Sequence, residues 1–312
     1  MHLAELLKNH SHRPKSSVPD WMLGAFERKS ITFANGYSDT STQVYWIQGR
    51  NQTIDLRLPA RHEIIQKTSA DCSDEELARL ADYEGWSADS YWNGTQLSWS
   101  SGQSFQLYNR WPEPGILQRV GNCMIEFSPN RAYVEDWRIR SITKGPLVSL
   151  KVLEEREDDS NQVLHYGGSL IIAGNWAALV LGRSETPIIG AKASLRDILE
   201  QTEKPAYSKK KIFNFETSVA TGNILDGYTI VHSTDYSRVG HPLISLEGFK
   251  ILEHDQQILQ KFKKGEVSIT RNYQIDTLEE EFLFSESTAW TTPAQAWFNQ
   301  EQQTLSRYLD KL

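Results

Sequence analysis

The chain has 312 residues, 39% hydrophobic and 23% charged, with a formal net charge of -7. That balance excludes disorder along the whole length and disfavours a nucleic-acid partner, which needs a basic face to neutralise phosphates. Residues 1–20 contain no continuous apolar core, and no run approaches the roughly 20 apolar residues that span a bilayer. A cytoplasmic protein with no membrane partner is therefore expected.

Residues 1–20 are polar, carry His10, His12, Pro14 and Pro19, and read as a flexible N-terminal arm. Val44–Gln48 and Thr53–Leu58 read as strands around the turn Gly49-Arg50-Asn51-Gln52. Ser73 and Glu76 form a capping box for a helix ending near Tyr83. Leu97–Ser100 and Phe105–Trp111 suggest a hairpin about Ser101–Ser104. Cys123–Phe127 and Ala132–Ile139 suggest another about Ser128–Arg131. Cys72 and Cys123 have no Cys or His at metal spacing, so neither a metal nor a cofactor is expected.

Lys144-Gly145-Pro146 reads as a boundary, after which the order of elements repeats. Val148–Leu153 and Ser169–Leu181 read as strands, and Ser194 with Asp197 opens a helix. Lys209-Lys210-Lys211 reads as a solvated loop. Ile212–Val219 with Tyr228–Ser233 suggests a further hairpin. Phe249–Leu259, Glu266–Asn272 and Thr277–Phe284 complete the set. The helix starts Ser73 and Ser194 are offset by about 120 positions, and Leu97–Gly102 and Thr217–Gly222 share that offset, which supports duplication. Thr292, Pro293 and Gln295 open a C-terminal helix that is expected to lie across a barrel or to bind a partner. The divisions are 1–20, 21–145, 146–290 and 291–312.

The run Tyr45-Trp-Ile-Gln-Gly-Arg-Asn-Gln-Thr-Ile-Asp-Leu-Arg-Leu-Pro59 is the most specific stretch. With Gly167–Gly174, Arg183 and Tyr133–Trp137, it resembles bacterial relatives of the fungal casein-kinase-interacting protein family with two lipocalin-like (calycin) barrels. The resemblance covers most of residues 25–290. It implies a mainly β fold of two lipocalin-like antiparallel β-barrel halves, with short helices and a C-terminal helix, and it brings no established reaction.

Asp55 and Arg57 stand two apart on a strand and share a face, opposite Ile54, Leu56 and Leu58. Pointed inward, they form a buried pair that orients a ligand; pointed outward, they are solvated. A register about Pro129-Asn130 sets Glu126 opposite Tyr133 and Met124 opposite Glu135. Glu126 and Glu135 are then diagonal neighbours, able to divide acid and base roles, and Trp137 shares their face. In the second half a simple register places Glu216 near His232, a candidate catalytic dyad. A satisfied core histidine is the alternative. Trp46, Trp86, Trp99, Tyr108, Trp111 and Trp137 concentrate in the first half and suit a pocket.

The function expected from these signals is the binding of a small molecule, apolar or aromatic, in a double barrel. An isomerase, cyclase or lyase using carboxylate and histidine chemistry is one alternative. A filled scaffold with a protein partner or self-association is the other.

Overall fold

The computed structural model describes residues 1–107, 114–185, 194–200, 209–252 and 256–309. The first sheet comprises β1 (Gly24–Phe33), β2 (Ser38–Asp39), β3 (Gln43–Gln48), β4 (Gln52–Leu58), β5 (Glu84–Trp92), β6 (Gln96–Ser104), β7 (Gly115–Val120), β8 (Cys123–Phe127) and β9 (Tyr133–Ile139). All pairings are antiparallel, and β1 also pairs with β9 from Phe26↔Ile139 to Phe33↔Tyr133, which closes the sheet on itself.

The second sheet comprises β10 (Gly145–Glu157), β11 (Val163–Ala173), β12 (Trp176–Arg183), β13 (Glu216–Asn223), β14 (Gly227–Ser233), β15 (Phe249–Leu252), β16 (Gln257–Lys264) and β17 (Val267–Phe282). Its order runs β14-β13-β12-β11-β10-β17-β16-β15. The sheet curls into an eight-stranded antiparallel barrel around one core that takes Tyr228 from β14 and Phe249 from β15. Among the described residues β14 and β15 do not pair. The segment between them bridges the gap: Leu243 donates to Tyr228 O, and Gln260 donates to Ser245 O.

The two halves share one topology. Leaving β2 aside, three strands precede a helix and five follow it in each, with the first strand paired to the last. The gap between β14 and β15 falls where the first sheet is weakest, since β6 and β7 share only Gln96↔Ile116 and Leu97↔Gly115. The strand counterpart of β13 is β5, so the alignment of Leu97–Gly102 with Thr217–Gly222 does not hold, whereas that of Ser73 with Ser194 does. Among the described residues, strand pairing does not close both sheets.

Alternation explains how the halves meet. On β3 and β4, Tyr45, Ile47, Ile54 and Leu56 share one buried cluster with Ile171, Ala178, Val180 and Val219 of the second sheet. The aliphatic face of the Asp55–Arg57 strand is therefore the seam between the sheets, and the opposite face lines the first barrel.

The described residues form five α-helices. Ser73 and Glu76 form the expected capping box on α2 (Asp74–Leu80), but the chain's first helix, α1 (Leu3–Asn9), precedes it. Leu3, Leu6 and Leu7 of α1 are buried inside the second barrel, so residues 1–20 are not a flexible arm. Ser194 precedes α3 (Leu195–Glu200), and α4 (Lys209–Ile212) replaces the loop expected at the lysines. The last helix, α5 (Thr292–Leu305), is capped by Thr291 and buries none of its residues, so it does not lie across a barrel. The expected hairpin at Ser101–Ser104 is instead one continuous strand, β6, with a bulge opposite Ala88 and Asp89. Its partner is β5, reached through Asn93–Thr95.

Gly168 shows where the sequence has no latitude. Its φ is +130°, and a Cβ there would lie 1.9 Å from Val180 O on β12. Gly168→Ala is expected to cost about 1–3 kcal/mol for the backbone conformation alone, and more as β11 and β12 are forced apart. Denaturant unfolding checks this; an effect under about 0.5 kcal/mol contradicts it.

Candidate functional site

The inward face of the first barrel carries the ionisable groups. Trp46 on β3 stands opposite Asp55 on β4, and Asp55 opposite Trp86 on β5. Glu126 on β8 stands directly opposite Glu135 on β9. The pairing differs by two positions from the sequence register, and a shift of two leaves every side chain on its expected face. These residues, with Arg57, Trp99, Tyr133 and Trp137, enclose a chamber of about 20 Å³. All nine of these residues are candidates that the sequence offers for the first half; the other two aromatic candidates, Tyr108 and Trp111, lie outside the described residues.

Hydrogen bonds fix the chamber walls. Arg57 Nε donates to Asp55 Oδ1 at 2.9 Å. Arg28 Nη1 donates to Glu135 Oε1 at 2.7 Å, and Arg28 Nη2 to Asp39 Oδ2 at 3.2 Å. Trp137 Nε1 donates to Glu126 Oε2 at 3.2 Å. Trp46 Nε1 donates to Thr53 and to Gln48 Oε1. The buried Nε1 of Trp99 has no partner. Gly115 makes room for Glu126, since a Cβ there would stand 2.6 Å from Glu126 Oε1.

Burial shapes the electrostatics. It pushes the Glu126 carboxyl up to about 8; Glu135 and Asp55 add to the rise, and Arg57 and the Trp137 N–H oppose it. Burial also pushes the Asp55 carboxyl up against the pull of Arg57. For Arg57, burial works against the charge but Asp55, Glu135 and Glu84 outweigh it, so its pKa rises above the ordinary value. The chamber thus holds one carboxyl that is protonated at neutral pH.

A wider cleft of about 560 Å³ adjoins the chamber, with aromatic wall residues Phe33, Tyr37 and Tyr83. Arg57 lines both spaces, and Arg28 in the cleft wall reaches Glu135 in the chamber wall. Arg28 escaped the sequence reading. The signal lies in the alternation of Phe26 and Arg28 on β1, which carries no flanking turn motif as clear as that of β3 and β4.

An apolar ligand inside this barrel is not what the interior offers. The indoles fill the space with one another, Trp46 against Trp137 and Trp86 against Trp99, each pair at 5.7 Å between centroids. The remaining space is the size of one or two waters, walled by indoles and by ionisable groups together.

The Glu216–His232 dyad does not form. Val219, not Glu216, faces His232 across β13 and β14. Glu216 and Val219 point to opposite faces, because their spacing is odd. Glu216 instead accepts from Arg238 Nε at 3.0 Å and from Ser218 Oγ at 2.7 Å. His232 stacks on Tyr45 at 4.4 Å between ring centroids, and burial, with Arg61 nearby, pushes it down to about 4. It is a neutral histidine of the seam between the sheets.

Among the described residues no group of three or more His, Cys, Asp or Glu could hold a metal ion, and no helix is long and apolar enough to cross a membrane. Both cysteines are free. Compared with family models, curated proteins and solved structures, the chain matches none. The fold and site define a class: a mainly β protein of two topologically repeated antiparallel sheets, with a polar chamber in the first.

Proposed function

We propose that the chain is a small-molecule-binding, calycin-like double-barrel protein whose site is the first barrel. The ligand's body occupies the cleft, and one polar end reaches past Arg57 into the chamber. The observation that carries this reading is the meeting of a ligand-sized cleft and a water-sized polar chamber at one arginine. Ligand pockets of about 300–1,000 Å³ with a few convergent polar groups are the ordinary form of such sites. The resemblance to lipocalin-like double barrels supports the same reading. The acid–base alternative keeps the carboxyls of the chamber and loses its histidine.

Native mass spectrometry of protein purified gently from its host tests the proposal. A stoichiometric mass excess over the denatured mass is expected, and its loss in Asp55→Asn/Arg57→Gln, a variant that keeps a neutral hydrogen-bonding pair. An excess that survives in the folded variant overturns the site. No excess, together with no thermal shift across a metabolite panel, overturns the function.

A further inference from the structure

The repeat allows the two barrel interiors to be compared strand by strand. In the first, an ion pair joins the first and last strands through Arg28 and Glu135. In the second, β10 and β17 are joined by Glu155 and Arg271, the same device with its charges exchanged. The strand next to the last supplies the third member in each. Glu126 stands opposite Glu135, and Gln260 stands opposite Arg271.

The third members differ in how fully they are satisfied. Gln260 is neutral; its amide donates to Ser245 O at 2.8 Å and its oxygen accepts from Tyr273 at 3.0 Å. Glu126 is a carboxyl with one indole donor and, among the described residues, no ion-pair partner. Arg57 is bonded to Asp55, and Arg28 to Glu135 and Asp39. A buried carboxyl without a counter-charge costs stability, and the second barrel shows that the architecture does without one.

Acidic groups approach Glu126 from several strands. Asp55 faces it from β4, Glu135 and Tyr133 from β9, and Glu84 lies on β5 beyond Arg57. Three carboxyls line the chamber, and Asp39, Glu63, Asp82 and Glu84 line the cleft. Among the described residues the cations of these walls are Arg28, Arg57 and Arg79, with Arg196 paired to Asp82 from outside. Four indoles complete the chamber wall, and aromatic faces attract cations. The free space matches a water molecule, and hence an ammonium group.

We propose that the group held in the chamber is a primary ammonium, so that the ligand of the first barrel is a small organic amine and Glu126 its counter-charge. This rests on the reading of the first barrel as a ligand site. The ammonium donates to Glu126 and its neighbouring carboxyls. The unpartnered Trp99 N–H is a donor and takes an oxygen beside the amine, from the ligand or from a water. Because the carboxyl is protonated at neutral pH without ligand, binding the cation expels that proton to solvent, and no covalent step is involved.

Titration calorimetry with benzylamine, benzyl alcohol and benzoate tests the charge on one shape. Benzylamine is expected to bind at pH 7 with release of close to one proton, read from the difference between phosphate and HEPES buffers. With Glu126 titrating at about 8, affinity is expected to rise roughly 50-fold from pH 6 to pH 8. Glu126→Gln is expected to lose the proton release and the pH dependence, and at least 10-fold in affinity, while its Tm stays level or rises, as the solution at Gln260 implies. A purely structural role would lower Tm instead. Equal binding of benzyl alcohol or benzoate leaves the first barrel a ligand site and overturns the amine. No binding by benzylamine, 1,4-diaminobutane or spermidine, with no binding by the other two, overturns both.

Discussion

Replacing Leu3 and Leu6 together by Ala will destabilise the second barrel by far more than a change in a terminal arm should. Both side chains are fully buried in the cluster that includes Leu150, Leu170 and Tyr273. Truncating a buried leucine costs about 2–5 kcal/mol through lost transfer energy and the cavity left behind. The pair is close enough to share one cavity, so the two costs will not add exactly as independent sites would. The backbone holds α1 in place as well: Leu3 N donates to Leu246 O, the N-terminal ammonium donates to Phe249 O, and His12 bridges Leu278. The segment therefore joins β17, β15 and the stretch that fills the gap beside β14. Urea unfolding should show a loss of several kcal/mol, and hydrogen exchange should show faster opening of β14 and β15 than of β3 and β4. A loss within about 0.5 kcal/mol would restore the flexible-arm reading.

Why α1 was illegible is a matter of length. Leu3, Leu6 and Leu7 do fall at helical spacing, but a helix of seven residues is marginal by itself and forms only because a barrel receives it. The flanking histidines and prolines outweighed three leucines in the sequence and do not in the fold. The two hairpins that carried candidate sites show a sharper rule. The loop between β8 and β9 is longer than a two-residue turn, with Ser128 Oγ accepting from Ala132 N and Tyr133 N and Arg131 at φ 61°. That moved the register by two, an even step, so Glu126, Glu135 and Trp137 kept their common face. Between β13 and β14 the true register, Ser218↔Ser233, differs by three from the one that joined Glu216 to His232. An odd step sends a side chain to the other face, and the dyad vanished with it. Which face of β4 is internal could not be read from β4, since both faces are buried and the decision lies with the second sheet.

The largest electrostatic effect is expected at the second barrel's buried pair, where Arg271→Met should destabilise the fold by about 3–5 kcal/mol by leaving Glu155 without its cation. Arg271 Nε donates to Glu155 Oε2 at 2.6 Å, a second guanidinium nitrogen donates to the same oxygen, and Nη1 donates to Tyr273 at 3.1 Å. Burial alone would raise the Glu155 carboxyl; Arg271, with His165 adding to it, brings it below its ordinary value of 4.5. A carboxyl lowered on folding stabilises fully above its unfolded pKa, and the contribution is lost as pH falls through the folded one. Wild-type stability should therefore decline on acidification below about 4.5. In Arg271→Met the direction reverses. Glu155 is then governed by burial, its folded pKa moves above the unfolded one, and stability should rise as pH is lowered from neutral toward 5. His165 stands opposite Glu155 on β11, but burial pushes the imidazole below its usual range, so it does not replace the lost charge at neutral pH. Glu155→Leu/Arg271→Met should recover most of the loss, because an apolar pair of similar volume does without the desolvation penalty. Denaturant melts of the three proteins at pH 5 and pH 8 settle the matter: a single variant that is least stable at pH 5, or a double variant no better than the single, would show that the pair acts through shape and not through charge.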